Sequence, residues 1–247
     1  MFGLSRKLGN LIPVAIVLGA ALTTFAVTAI PSSAEEITSS IARGGQLYDK
    51  WYKVIKAPTP DATHPAWPAS NTNKSGDATQ RCKACHGWDM AGVDGAYGSG
   101  SYLTGIKGLQ GMVGAPVDTI IAIMKDPVHG FGGMMGEQDY IDLANFVSAG
   151  QIDMDAYINR ENKMANGDIA KGEEYYNTVC SNCHGLEGDL PKDMGTTLGT
   201  LSNSNPWEII QKILNGQPAE QMPALRAFGP GVSADILAYL QTLPLAE

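Results

Sequence analysis

The sequence predicts an all-α fold in which one small helical domain occurs twice, behind an apolar N-terminal segment. Three observations predict it. Apolar residues recur at helical spacing through much of the chain, and no useful run alternates with the period of a strand. Four short landmarks recur in the same order in two stretches of the chain. The 247 residues, 44% hydrophobic and 17% charged, suffice for two compact domains, yet only 7% are aromatic. Domains of about 100 residues bury proportionally little surface, so few aromatic side chains leave room for a large prosthetic group in the core.

The elements follow in chain order. Arg6 and Lys7 precede an uncharged stretch from Leu8 to Ile30, and Ser32-Ser33-Ala34 supplies small residues for signal-peptidase cleavage before Glu35. Residues 1–34 therefore read as an export signal. If retained, residues 8–30 are long enough to anchor the chain, since about 20 apolar residues span a bilayer. Either outcome delivers the remainder to the periplasm or the outer face of the cytoplasmic membrane.

The first copy is expected over residues 41–150, the second over 167–247, with 151–166 as a linker. Gly45-Gln46-Leu47-Tyr48 is aligned with Gly172-Glu173-Glu174-Tyr175, and Cys82-Lys83-Ala84-Cys85-His86-Gly87 with Cys180-Ser181-Asn182-Cys183-His184-Gly185. Two amphipathic helices follow in each copy, opening at Pro116 and Pro206 and closing around Phe146 and Tyr239. Proline suits a first helical position, and Asn205 suits an N-cap. The copies differ upstream of the cysteines: 37 positions separate Gly45 from Cys82, but only 8 separate Gly172 from Cys180. The additional segment, 56–80, carries Pro58, Pro60, Pro65 and Pro68 and reads as a loop insertion.

Four cysteines are too few for a disulfide-scaffolded fold. Their pattern, Cys-x-x-Cys-His twice, is that of c-type haem attachment. One helical turn brings both sulfurs to one edge of the macrocycle, and the following imidazole then projects toward the iron. A zinc ribbon would set its Cys pairs 15–20 residues apart, whereas these lie 98 apart. No strand–helix alternation supports a thioredoxin-like dithiol. Two covalently bound haem c groups are thus expected, on Cys82, Cys85 and His86 and on Cys180, Cys183 and His184.

From about Ile41 to Leu243 these residues resemble tandem class I cytochrome c domains. The second copy matches more fully, through Gly167-Asp168, Gly172, the Cys180–Gly185 motif, Met222-Pro223 and the closing helix around Tyr239. The resemblance implies terminal helices that cross near the haem edge and an iron held between histidine and a distal ligand. It implies Met222 as that ligand in the second domain. In the first domain Gly132-Gly133-Met134-Met135-Gly136 offers two thioethers; Met134 is preferred, with Met135 and His129 as rivals and His64 a weaker one. Trp88, Trp207, Tyr48 and Tyr175 read as packing residues around the haems or the helix crossings.

An iron with both axial positions filled by protein exchanges electrons and offers no place for a substrate. No Ser-His-Asp, His-Glu-x-x-His or phosphate-loop pattern is present. The expected function is a dihaem electron carrier rather than a substrate-converting enzyme. The alternatives are a dihaem oxidoreductase of small sulfur compounds or a peroxidase with an open first site, and a haem subunit of a membrane complex. The net charge is −8; without Arg6 and Lys7 it becomes 15 basic against 25 acidic, or −10. That balance excludes nucleic acid, which demands a basic surface. It favours redox protein donors and acceptors with basic docking faces.

Overall fold

In the computed structural model, which describes residues 1–3 and 33–246, every regular element is helical. Among the described residues the only β-pairings are isolated bridges, Gly92 with Lys107 and Ile158 with Ala165. The expected all-α fold is the one observed. The apolar stretch from Leu8 to Ile30 lies outside the described residues. No helix among the described residues is long and apolar enough to cross a membrane.

The first half opens with α1 (Ser33–Val54), which begins ahead of the expected boundary at residue 41. Glu35 and Glu36 in its first turn complement the positive end of the helix dipole. A break at Lys50 (φ −156°, ψ 72°) kinks it near its end. The short α2 (Cys82–His86) carries the first cysteine motif. Helix α3 (Val117–Met124) follows Pro116, and α4 (Glu137–Ala149) starts where the Gly136 N–H donates to the Asp139 carboxylate at 2.8 Å.

The second half repeats the order. In α5 (Ile169–Tyr175) the Asp168 carboxylate accepts from the Ala170 and Lys171 N–H groups, filling an N-cap. A π-turn over Tyr176–Cys180 leads into α6 (Ser181–His184) with the second motif. Then come α7 (Leu198–Ser204), α8 (Pro206–Asn215) and α9 (Pro230–Leu240). Asn205 sits at the N-cap of α8, but its amide donates to Glu208 rather than receiving a backbone N–H.

Each half is organised by one helix crossing, α1 on α4 and α5 on α9. Both crossings hinge on a glycine without room for a side chain. A Cβ on Gly44 would fall 2.0 Å from the Asp142 carbonyl oxygen, and one on Gly172 would fall 1.9 Å from that of Asp235. Beside each glycine an aromatic pair spans the crossing: Tyr48 on Phe146 with centroids 5.3 Å apart at 50°, and Tyr176 on Tyr239 at 5.4 Å and 49°. These equivalences correct the alignment of the first landmark by one residue. Gly44 matches Gly172, and Tyr48 matches Tyr176, not Tyr175.

The insertion at 56–80 is tied down along its length. Trp51 Nε1 donates to the Gln80 carbonyl (2.9 Å), Tyr52 Oη to Asp77 (2.8 Å), Gln80 Nε2 to the Ala62 carbonyl (2.8 Å), and the His64 N–H to Thr79 Oγ1 (2.9 Å). The linker is likewise packed, with Met154 and Ile158 buried in the second core.

The two cores interlock. Trp88 and Tyr97, from the loop after α2, are buried among Ile210, Leu214 and Leu237 of the second half. Gln211 Nε2 donates to the Trp88 carbonyl at 3.0 Å, and Arg226 reaches the Gly150 carbonyl at 3.1 Å. Buried Asp49 pairs with Arg81 of its own half and Lys212 of the other. Burial alone would raise its pKa, but those two cations outweigh burial and hold its carboxyl below the usual carboxylate range. Arg160 of the linker pairs with buried Asp89 at 2.6 Å.

Candidate functional site

Both cysteine motifs are built alike. In each, a short helix ends at the histidine because the next residue is a glycine with positive φ, 83° at Gly87 and 74° at Gly185. That conformation favours glycine. The Gly87 N–H closes on the Lys83 carbonyl at 2.9 Å, and the Gly185 N–H on the Ser181 carbonyl at 2.8 Å. Each glycine carbonyl accepts from the crossing tyrosine, Tyr48 Oη to Gly87 and Tyr176 Oη to Gly185, both at 2.6 Å. The helix crossing thereby fixes the turn that carries the histidine.

The histidines share one tautomer. His86 Nδ1 lies 2.9 Å from the Lys107 carbonyl, and His184 Nδ1 lies 3.0 Å from the Leu190 carbonyl. A carbonyl only accepts, so the proton sits on Nδ1 and the Nε2 lone pair is left for a metal. This is the usual support for a metal-bound imidazole. Burial lowers the pKa of His86, which keeps it in the neutral form that ligates.

The thiols fit covalent attachment better than metal ligation. All four are free of disulfides. Burial pushes Cys82 up to about 12, with Cys85 as the next cause, and pushes Cys85 and Cys180 up to about 11. Burial thus keeps Cys82, Cys85 and Cys180 as neutral thiols, while Cys183 is exposed. No group of three or more His, Cys, Asp or Glu able to hold a metal ion occurs among the described residues. An iron bound through His86 or His184 must therefore bring its equatorial ligands with it, as a porphyrin does.

A cavity of about 630 Å³ adjoins the first motif, a size within the range of ligand pockets. Cys82, Cys85 and His86 form one side; Tyr48, Leu109, Met112, Ile120, Met124, Phe131, Leu143 and Val147 supply apolar walls. His64, Ala66 and Thr79 of the insertion line it as well. The volume, the apolar lining, the paired thiols and the free Nε2 fit a haem.

The expected distal ligand of the first site and its rivals are placed differently around this cavity. Met134 is 48% exposed and does not line the cavity, while Met135 is buried in the first core against neighbours such as Tyr140. His129 does line it, with its ring 6.4 Å from that of His86 and 19° from parallel. His64 lies at the wall with both ring nitrogens engaged, Nε2 at the His129 carbonyl (2.9 Å) and Nδ1 accepting the Ala66 N–H (3.1 Å).

At the second motif Met222 is half-buried against the same core as Cys180. Gly216 (φ 83°) lets its loop close in, since a Cβ there would lie 2.6 Å from the Met222 carbonyl oxygen. Trp88 and Trp207 both pack in the second core, with indole N–H groups that have no partner among the described residues. Trp88 is faced by Lys83 Nζ at 4.9 Å and Lys212 Nζ at 5.3 Å, a cation–π arrangement at the seam between the halves. Neither the seam nor the cations around Trp88 had a signal in the sequence.

Residues 167–240 match the family model described as Cytochrome C oxidase, cbb3-type, subunit III. No curated protein matches the chain. The matched segment runs from the residue before the Asp168 cap to the last residue of α9, and so spans the crossing, the cysteine motif and Met222. The match supports a c-type cytochrome domain at 167–240, a kind of domain that implies covalently bound haem c and a haem-based electron-transfer role.

Proposed function

We propose that the chain is an exported electron carrier with two haem c groups, one on Cys82, Cys85 and His86 and one on Cys180, Cys183 and His184. The observation that carries this reading is the recurrence of a whole constellation around each motif. It comprises a crossing glycine, an aromatic pair, a tyrosine hydroxyl on the post-histidine carbonyl and a histidine Nδ1 on a backbone carbonyl. A stretch that had lost its haem would have little reason to keep all four.

A haem at each site supplies reversible one-electron exchange. The protein's own residues do the rest. The Lys107 and Leu190 carbonyls orient the imidazoles, the tyrosines lock the turns, and Leu109, Ile120, Phe131 and Leu143 keep water from the first site. Met222 would supply the distal thioether to a haem at the second site. Donor and acceptor are redox proteins outside the cytoplasm, and the −10 balance of the exported part selects basic docking faces.

The test is an intact mass of the matured protein, followed by spectra of the reduced form with and without carbon monoxide. Two haem additions and no carbon monoxide binding are expected. A haem that takes carbon monoxide readily would replace the carrier with an enzyme at that site. Electron exchange with a basic partner should slow as salt rises; rates indifferent to ionic strength would remove the docking argument. The match to an oxidase subunit favours a second reading, a haem subunit of a membrane complex. Retention of residues 8–30 and co-purification with membrane oxidoreductase subunits would support it.

A further inference from the structure

We infer that His129, rather than a methionine, faces His86 across the iron of the first site, so that this haem is held between two imidazoles. The inference rests on the dihaem reading above. The two rings line one cavity together with Cys82 and Cys85, 6.4 Å apart between centroids and 19° from parallel. Two metal–imidazole bonds of about 2 Å, plus roughly 1 Å from each donor nitrogen to its ring centre, span about 6 Å. The observed centroid separation is of that size.

The nitrogens agree with that reading. His86 Nδ1 is engaged by the Lys107 carbonyl, and His129 Nδ1 lies 3.2 Å from Asp126 Oδ1. Each ring therefore keeps Nε2 free, and each has the second-shell partner typical of a metal-bound histidine, a carbonyl for one and a carboxylate for the other. The segment bearing His129 is also held in place. Asp126 Oδ1 accepts the N–H of Val128 at 2.9 Å and of His129 at 2.8 Å, and His64 Nε2 donates to the His129 carbonyl at 2.9 Å. His64 has no nitrogen left for iron; its part is to tie the insertion to the segment that presents His129.

The thioethers lack such a placement, with Met134 exposed and away from the cavity wall and Met135 in the core. The consequence is directional. Methionine as a distal ligand raises a haem potential relative to histidine, so the first haem sits below the second and electrons run from the His86 site to the Met222 site.

The experiment uses the full-length matured protein, with haem number fixed first by intact mass. Potentiometric titration is then followed by electron paramagnetic resonance and near-infrared magnetic circular dichroism on wild type, His129→Met, His129→Ala and Met134→Ala. Wild type should show one bis-imidazole haem of lower potential and one histidine–methionine haem. In His129→Ala one of the two haems should become high-spin and bind carbon monoxide. His129→Met should raise the lower potential and gives a ligand-bearing variant if the alanine variant fails to mature. Met134→Ala should leave both haems unchanged. Two haems with unaltered spectra in both His129 variants, or a high-spin haem in Met134→Ala, would overturn the inference while leaving the dihaem reading in place. A single haem addition would overturn the reading beneath it.

Discussion

Replacing Gly172 by alanine tests whether the helix crossing is the frame on which a haem site hangs. In α5 alanine gains about 1 kcal/mol over glycine by propensity alone, so a neighbour-blind expectation is stabilisation. The structure predicts the reverse. The new Cβ would lie 1.9 Å from the Asp235 carbonyl oxygen and 2.6 Å from its carbon, where ordinary contact begins near 3.4 Å. Backbone cannot swing aside as a side-chain tip can, so α5 and α9 must part by roughly 1.5 Å, and gaps of even 0.5–1 Å forfeit a quarter to a half of a dispersion contact. Overpacking of this kind costs about 1–3 kcal/mol or more. With a clash this short the cost falls at the upper end of that range, so the net loss should be about 1–2 kcal/mol, a fall of roughly 2–8 °C in melting midpoint for a chain of this length. Gly231→Ala, on α9 where a Cβ meets nothing within 4 Å, is the control and should be neutral or mildly stabilising. Gly44→Ala, with a Cβ 2.0 Å from the Asp142 oxygen, should match Gly172→Ala. Thermal unfolding of the haem-loaded protein, read by circular dichroism and Soret absorbance, decides. Gly172→Ala melting at or above wild type would refute the crossing argument.

Asp49→Asn should cost about 3–5 kcal/mol, because it strands the buried cations of Arg81 and Lys212. Since the folded pKa of Asp49 lies below its unfolded value, its contribution is complete above the unfolded pKa and is lost as pH falls through the folded one. Wild type should thus lose more stability than Asp49→Asn between pH 7 and pH 3, and parallel melting curves across that range would refute the pairing. Met222→Ala should lower the potential of the second haem or open it to carbon monoxide; an unchanged potential and spectrum would assign its distal ligand elsewhere.

What was legible in the sequence was local. The Cys-x-x-Cys-His turns, the post-histidine glycines and the proline-led helices depend on neighbours a few residues away, and they appear where the spacing puts them. The doubled residues Gly44-Gly45 and Tyr175-Tyr176 permit two alignments one residue apart, and only the carbonyls of Asp142 and Asp235 across the crossings choose between them. His129 against Met134 was undecidable from spacing, because reach to the cavity depends on how the chain folds after α3 and on a bond from His64, 65 residues away. The burial of Trp88 in the other half's core is a purely long-range outcome.

That interlocking bears on how two redox sites in one chain can work. Domains on a flexible tether would exchange electrons at a rate set by how often they meet, and linker length would govern it. Here Met154 and Ile158 of the linker are 3% and 1% exposed within the second core. The Asp49 carboxylate is shared between the halves, and Arg226 and Gln211 each bond the first half's backbone. Separating the halves would expose Trp88 and strand Lys212, a cost of several kcal/mol on burial and buried-charge grounds alone. Under the dihaem reading the two sites therefore keep one separation. If the first haem is held by His129 as inferred above and the second by Met222, the direction of transfer would then be set by that ligand difference and not by domain motion.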